Sequence, residues 1–144
     1  MERVKLFLDT NIVLDYYTAR MGDGIAEKVV HIGDFSQYEL CISILTGVNT
    51  LYILNKFSKI VEMETLARQF TILPMSEKQW KDASRMGIAD PEDALQIACA
   101  REFGCKAIIS RDRHILNSEI ILPEILTPEE LLQKVDLPTQ TIGQ

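Results

Sequence analysis

Residues 4–17 read VKLFLDTNIVLDYY. The largely apolar run at 4–8 has the length and composition of a buried β-strand. Asp9, Thr10 and Asn11 follow at once, and side chains of this kind cap the first turn of a helix, here the apolar turn at 12–14. A strand that passes directly into a helix is the repeating unit of α/β proteins, so this segment predicts the fold class.

The rest of the chain continues the alternation of strand and helix. We expect further strands at 38–42, 70–73 and 107–110, and a smaller one at 125–126. We expect helices at 24–35, from Ser43 onward, at 59–68, 76–87 and 90–103, and from 127 onward. Strands separated by helices imply a short parallel sheet with helices on both faces. The prediction is one α/β domain.

Two of these helices carry clear sequence signals. Asp90 followed by Pro91 is a strong helix start, because aspartate caps well and proline suits the first helical position. The helix after Ser43 is expected to bury the apolar residues Leu45, Val48, Leu51 and Tyr52. We assign the domain to residues 1–135 and expect residues 136–144, which are polar and contain a proline, to form a flexible C-terminal tail.

Composition excludes several classes of protein. The 47% of hydrophobic residues is typical of a globular domain, and the longest run without charge, 40–55, is short for a membrane span. The net charge of −6 argues against a protein that coats nucleic acid through long-range attraction. Three cysteines without a C-x-x-C spacing predict buried, reduced thiols and a cytoplasmic protein.

Acidic residues fall where the strands end. Asp9 follows the first strand, Asp112 lies just past the strand at 107–110, and Asp93 lies in the first turn of the helix before that strand. Each alone is explained as a helix cap, a capping-box partner or a turn residue. Together, at one edge of a parallel sheet, they repel one another unless a cation is present. Hard carboxylate ligands favour Mg²⁺ or Mn²⁺, which offset phosphodiester charge and activate water.

Five segments in order resemble the motifs of PIN domains. They are LFLDTNIVLD at 6–15, SILTGVN at 43–49, DPEDALQIA at 90–98, IISRD at 108–112 and ILTPEEL at 125–131. The first matches a strand ending in Asp-Thr-Asn, and the second resembles Ser-x-x-Thr-x-x-Glu. The third matches an Asp-Ala pair that opens an apolar helix, and the fourth a strand followed by Thr-x-Asp. No single motif is specific, but the ordered set is, and it covers residues 4 to about 134.

This resemblance implies a three-layer α/β/α domain and a metal-dependent nuclease that cuts RNA. Small bacterial PIN proteins are often the toxin ribonucleases of toxin–antitoxin pairs, so it also implies a homodimer and a small antitoxin partner. Carried over by position, Asp9, Asp93 and Asp112 are the catalytic carboxylates that bind Mg²⁺ or Mn²⁺.

The chain departs from the family pattern at Asn49, where PIN domains usually have Glu. An amide oxygen is a weaker ligand for a hard cation than a carboxylate, which makes a second metal ion less expected. Asp90 and Glu92 are candidates to compensate, although the first is explained as a cap and the second as a first-turn acid. Thr10, Asn11 and Ser110 are candidates to orient the ligands, and Arg111 and Arg113 to contact substrate phosphates.

Two other functions stay open beside the nuclease. The loss of an acid at Asn49 is compatible with a PIN-fold binding or regulatory module whose catalysis is weakened. Asp9 after a first strand is also found in aspartyl-phosphate enzymes of the haloacid-dehalogenase type. Those enzymes need a second aspartate two residues on, where this chain has Asn11, so that function is disfavoured.

Overall fold

The computed structural model describes residues 2–135, in which the chain forms five β-strands and eight α-helices. The strands are β1 (Val4–Leu8), β2 (Tyr38–Ser43), β3 (Thr71–Leu73), β4 (Ala107–Ile109) and β5 (Glu124–Leu126). The helices are α1 (Thr10–Thr18), α2 (Ile25–His31), α3 (Ile44–Lys56), α4 (Met63–Gln69), α5 (Glu77–Ser84), α6 (Pro91–Glu102), α7 (Arg113–Leu116) and α8 (Pro128–Lys134). The expected tail at 136–144 lies outside the described residues.

All five strands are parallel and form one sheet in the order β3-β2-β1-β4-β5. The central strand is β1, where Leu6 aligns with Leu40 on one side and with Ala107 on the other. The chain first builds from β1 towards β3 and later returns to place β4 on the opposite side. Such a reversal opens a crevice at the carboxyl ends of the two strands, here β1 and β4. The expected α/β fold with a parallel sheet is confirmed.

The core forms two layers because side chains alternate along each strand. On one face, Leu6 and Leu8 pack with Ile12 of α1, Val29 of α2 and residues of α4 and α8. On the other face, Phe7 packs with Ile97 of α6 and neighbouring apolar residues. Helices therefore cover both faces of the sheet, as the alternating pattern predicts.

The orientation of α3 differs from the prediction. Val48 is 58% exposed and Tyr52 62% exposed, whereas Thr46, Thr50 and Leu54 are buried. The cause is a set of buried polar contacts at the start of the helix, where the Ser43 hydroxyl accepts a hydrogen bond from the Thr46 amide. These contacts turn the threonines inward, so the expected apolar face was wrong for Val48 and Tyr52.

Helix boundaries differ from the predictions in three places. The helix expected at 24–35 ends at His31 and is followed by a 3-10 turn at Ile32–Asp34. The helix expected at 59–68 begins only at Met63, because Ser58 adopts a left-handed conformation and the Lys59 side chain bonds to the Tyr17 carbonyl. The helix expected to end at Gly87 ends at Ser84.

One expectation from composition agrees with the described structure. Cys41, Cys99 and Cys105 are buried free thiols, and burial raises the pKa of Cys99 to about 12. Within residues 2–135 no helix combines the length and the apolar character needed to cross a membrane.

Candidate metal and catalytic site

Asp9 lies at the carboxyl end of β1 and begins the site. Its backbone amide donates to the Ile109 carbonyl at 3.0 Å, which ties the end of β1 to the end of β4. Its Oδ1 accepts from the Thr10 amide and its Oδ2 from the Ser110 hydroxyl, both at 2.9 Å. Burial raises the pKa of Asp9, with a smaller contribution from Asp112, and the two hydrogen bonds act in the opposite direction. The carboxylate is both the predicted cap of α1 and a fixed member of the cluster.

Ser110 joins Asp9 to Asp112. Its hydroxyl donates to Asp9 and accepts from the Asp112 amide at 2.9 Å, and the residue is fully buried. Asp112 in turn caps α7, since its Oδ1 accepts from the His114 amide at 2.9 Å. The helix α7 was not predicted, because it has only four residues. The structure thus brings Asp9, at the end of β1, next to Ser110 and Asp112, which both follow β4.

Asp93 approaches the same place from the start of α6. Asp90 caps this helix by accepting from the Glu92 and Asp93 amides, as predicted, and Pro91 occupies its first turn. Asp93 is 6% exposed, and its buried Oδ2 has no hydrogen-bond partner within residues 2–135. Burial first, and then the negative charges of Asp112, Asp90, Asp9 and Glu92, raise the pKa of Asp93 to about 7. An unpartnered buried carboxylate among like charges is the most unusual feature of the site.

Asn49 contacts Glu92 across the site. The Asn49 amide donates to Glu92 Oε1 at 3.1 Å, which links α3 to the first turn of α6. Burial, and then the charges of Asp9 and Asp90, raise the pKa of Glu92, while the bond from Asn49 lowers it. Glu92 therefore lies within electrostatic reach of the cluster, and the residue that departs from the family pattern holds it there.

A buried polar network that the sequence did not predict lies beneath these acids. Gln96 accepts from the Ser43 hydroxyl and donates to the Thr46 hydroxyl, both at 2.6 Å. Thr46 also shares a hydrogen bond of 2.9 Å with the Thr10 hydroxyl. This network connects α1, α3 and α6 under Asp9, and Gln96 is among the groups that lower the pKa of Asp9. The sequence feature that points to this network is Gln96, a glutamine on the otherwise apolar buried face of its helix.

The two arginines after β4 occupy different environments. Arg111 is 24% exposed in its side chain and faces Asp15, with Nε 3.4 Å from Oδ2, and Glu129, with Nη1 3.2 Å from Oε2. Arg113 is exposed, and within residues 2–135 it forms no ion pair. Asn11 is half-buried, and its side chain makes no hydrogen bond to the described part of the chain. Arg111 is therefore engaged by acids of its own chain.

The oxygen atoms of these acids can be compared with the ligands that a divalent cation prefers. As placed, the described residues contain no group of three acidic, histidine or cysteine side chains that could hold a metal ion. The chemistry nevertheless fits a hard cation, because Asp93 presents an unpartnered buried oxygen and the pKa values of three neighbouring acids are raised.

Comparison with known proteins defines the class. The sequence model of the PIN domain matches residues 5–114, so the chain belongs to the PIN domain family. Ribonuclease VapC1 of Aquifex aeolicus (strain VF5) is 24% identical over 143 residues, covering 93% of this chain and 97% of that protein.

Two solved structures share the fold. One is a toxin–antitoxin complex from Klebsiella pneumoniae, with a TM-score of 0.66 and 19% identity over 85% of this chain and 97% of that one. The other is VapBC2 from Rickettsia felis bound to a DNA fragment from its promoter, with a TM-score of 0.61 and 15% identity over the same shares. The predicted membership of the PIN family and its α/β/α fold are confirmed.

Proposed function

We propose that this protein is a PIN-type endoribonuclease that depends on Mg²⁺ or Mn²⁺ and hydrolyses RNA phosphodiesters. The observation that carries the proposal is Asp93, whose buried oxygen has no hydrogen-bond partner within residues 2–135 and whose pKa is raised by four other acids as well as by burial. Membership of the PIN family and the likeness to a protein named as a ribonuclease support the same function.

In this proposal Asp9, Asp93 and Asp112 bind the ion. When bound, the ion offsets the negative charge of the phosphodiester and promotes ionisation of the attacking water. The protein's own part is to hold the acids at the carboxyl ends of β1 and β4 and at the start of α6. Ser110 orients Asp9 and Asp112 together, and Thr10 adds the second hydrogen bond to Asp9. Arg113, which is exposed just after Asp112, remains a candidate phosphate contact.

Glu92 is proposed as an additional acid of the site. Asn49 offers no charge, but its amide donates to Glu92 and fixes that carboxylate near Asp9. The chain would then keep a fourth acid although position 49 is an asparagine. Asp90 is used by the cap of α6 and is assigned no role in binding the ion.

The first test is cleavage of a panel of structured RNAs with Mn²⁺, with Mn²⁺ plus chelator, and with the Asp93→Asn variant. We expect cutting only by the wild type with metal, and a loss of about 100-fold or more in the variant, because a charge that supports the transition state is removed. Asp34→Asn is the matched control, since Asp34 is exposed and far in sequence from the cluster. Equal cutting by wild type and Asp93→Asn contradicts the assignment.

We also propose a place in a toxin–antitoxin pair, with a homodimer in the cytoplasm and a small antitoxin bound to it. The support is the likeness to solved complexes described as toxin–antitoxin assemblies. Light scattering on purified protein is expected to give twice the chain mass of 16.4 kDa. Co-expression with a short protein encoded beside it is expected to suppress RNA cleavage, and unchanged cleavage contradicts the pairing.

The second candidate is a PIN-fold binding module with weakened catalysis. It is favoured by Asn49 and by the lack, among the described residues, of three side chains already placed around an ion. This alternative predicts RNA binding without metal-dependent cutting in the same assay. A gel-shift measurement on the same RNA panel separates the two functions.

A further inference from the structure

A groove of about 750 Å³ opens beside Asp93. One wall is the segment 86–90, which joins α5 to α6. The other wall is formed by His114 of α7 and by residues 117–120. Because Asp93 lines the groove and also belongs to the acidic cluster, a ligand in the groove would lie next to a group held at the cluster.

The lining combines apolar surface with free polar groups. Met86, Ile88 and Ile120 are half-buried and give apolar contact area. Asn117 and Glu119 are exposed, and their side chains have no hydrogen bond or ion pair within residues 2–135. An apolar surface with a few free polar groups is typical of a site for a small, partly polar ligand.

The charges of the groove disfavour the sugar–phosphate backbone as its occupant. The described residues that line it include three acids, Asp90, Asp93 and Glu119, one histidine, His114, and no lysine or arginine. A phosphate placed there would be repelled, since phosphates are bound by arginine, lysine or backbone amides. An uncharged group attached to a nearby phosphate avoids this repulsion.

Resting on the proposed ribonuclease function, we propose that the groove binds an unstacked nucleobase adjacent to the scissile phosphate and selects bases that carry an exocyclic amino group. Single-stranded RNA is commonly recognised through bases that are splayed out and contacted on their faces and edges. Glu119 can only accept hydrogen bonds, and Asn117 can accept and donate. The exocyclic amino groups of adenine, cytosine and guanine can donate to these side chains, whereas the one edge donor of uracil, N3–H, lies between two carbonyl oxygens that a carboxylate repels.

The test is an NMR titration of the wild-type full chain with adenosine, cytidine and uridine, none of which carries a phosphate. Concentrations up to about 10 mM cover the millimolar dissociation constants expected for such small ligands. We expect adenosine and cytidine to shift the backbone signals of 86–90 and 114–120, and uridine to bind about fivefold more weakly. Absence of shifts in these segments, or equal binding of uridine, overturns the proposal.

Two variants assign the selectivity to named groups. Asn117→Ala is expected to weaken adenosine binding about fivefold, because one base contact is lost. Glu119→Gln is expected to narrow the difference between cytidine and uridine, because the new amide can donate to a uracil carbonyl. Asn55→Ala and Glu27→Gln are the matched controls, since both residues are exposed and lie outside the groove. Equal effects of variants and controls overturn the assignment.

The nucleoside titration gives its result whether or not the protein cleaves RNA. Nucleosides contain no bond that the enzyme would cut, so binding in the groove by a protein without RNA cleavage rejects the ribonuclease and keeps the base site. RNA cleavage without nucleoside binding in the groove rejects the base site and keeps the ribonuclease.

Discussion

Asp15 and Asp93 are two aspartates with almost the same burial and opposite surroundings. They are 2% and 6% exposed, and in each the Oδ2 atom makes no hydrogen bond in the described structure. Asp15 faces two arginines, with Arg20 Nε 2.5 Å from Oδ1 and Arg111 Nε 3.4 Å from Oδ2. Asp93 is surrounded by other acids, and burial together with their charges raises its pKa to about 7.

The difference separates a carboxylate whose charge is balanced within the chain from one whose charge is not. The charge of Asp15 is balanced inside the protein, and the pair with Arg111 ties α1 to the segment after β4 and, through Glu129, to α8. The charge of Asp93 has no such balance, so a cation from solution is the natural partner. Burial of an acid alone is therefore a weaker indication of a metal site than burial without a cationic partner.

The largest stability effect is expected at the balanced aspartate. Asp15→Asn removes the charge that compensates Arg111 and Arg20, and breaking a buried ion pair costs about 3 kcal/mol. The melting temperature should fall by about 10 °C for a chain of this size. Thermal and urea unfolding measure the change.

Glu64→Gln is the control, because its pair with Arg68 is exposed and should be worth less than about 1 kcal/mol. A loss in Asp15→Asn no larger than in the control would show that the pair is not structural.

The opposite effect on the free energy of unfolding is expected for Asp93→Asn. The folded-state pKa of Asp93, about 7, lies above the ordinary 3.8, so between these values the folded state holds a proton that the unfolded state has released. The stability of the wild type therefore falls as the pH rises from about 4 to 7, and the loss is complete above pH 7. Asp93→Asn should be more stable than the wild type at pH 8, where the wild type carries the buried charge, and equal to it near pH 4.

Urea unfolding between pH 4 and 8, with and without Mn²⁺, tests this difference. An ion bound only by the folded state stabilises it by mass action, so Mn²⁺ should restore the stability of the wild type at pH 8 and leave Asp93→Asn unchanged. Equal pH profiles for the two proteins would mean that Asp93 is compensated by a group of its own chain.

The sequence was sufficient where local signals and sheet geometry agree. Asp9 and Asp93 were predicted from the rule that parallel strands gather their carboxyl ends at one edge, and helix capping was the competing explanation of each. Asp112 follows in the same way from the strand at 107–110. The structure places all three close enough for their charges to raise the pKa of Asp93.

The parts that were missed depend on contacts between distant segments. Gln96 lies 53 residues from Ser43 and 50 from Thr46 in the sequence. Only the folded chain shows that hydrogen bonds join the three side chains. The same contacts rotate α3, so Val48 and Tyr52 are exposed although helical spacing predicts that they are buried. Helical periodicity identifies a helix, but polar groups buried with their partners can decide which side faces the core.

The smallest effect is expected at Asn49, where the chain departs from the PIN pattern. Asn49→Ala removes the donor to Glu92 Oε1, and the loss of one hydrogen bond to a charged group corresponds to about 1.5 kcal/mol, or roughly tenfold in Mn²⁺ affinity. Calorimetric titration with Mn²⁺ measures this change, and Glu92→Gln should weaken binding at least as much, since it removes the carboxylate that Asn49 positions. The double variant should be no weaker than Glu92→Gln alone, because Asn49 then has no carboxylate left to position. Additive losses would mean that Asn49 and Glu92 act separately, and the position of Glu92 would then owe nothing to the asparagine.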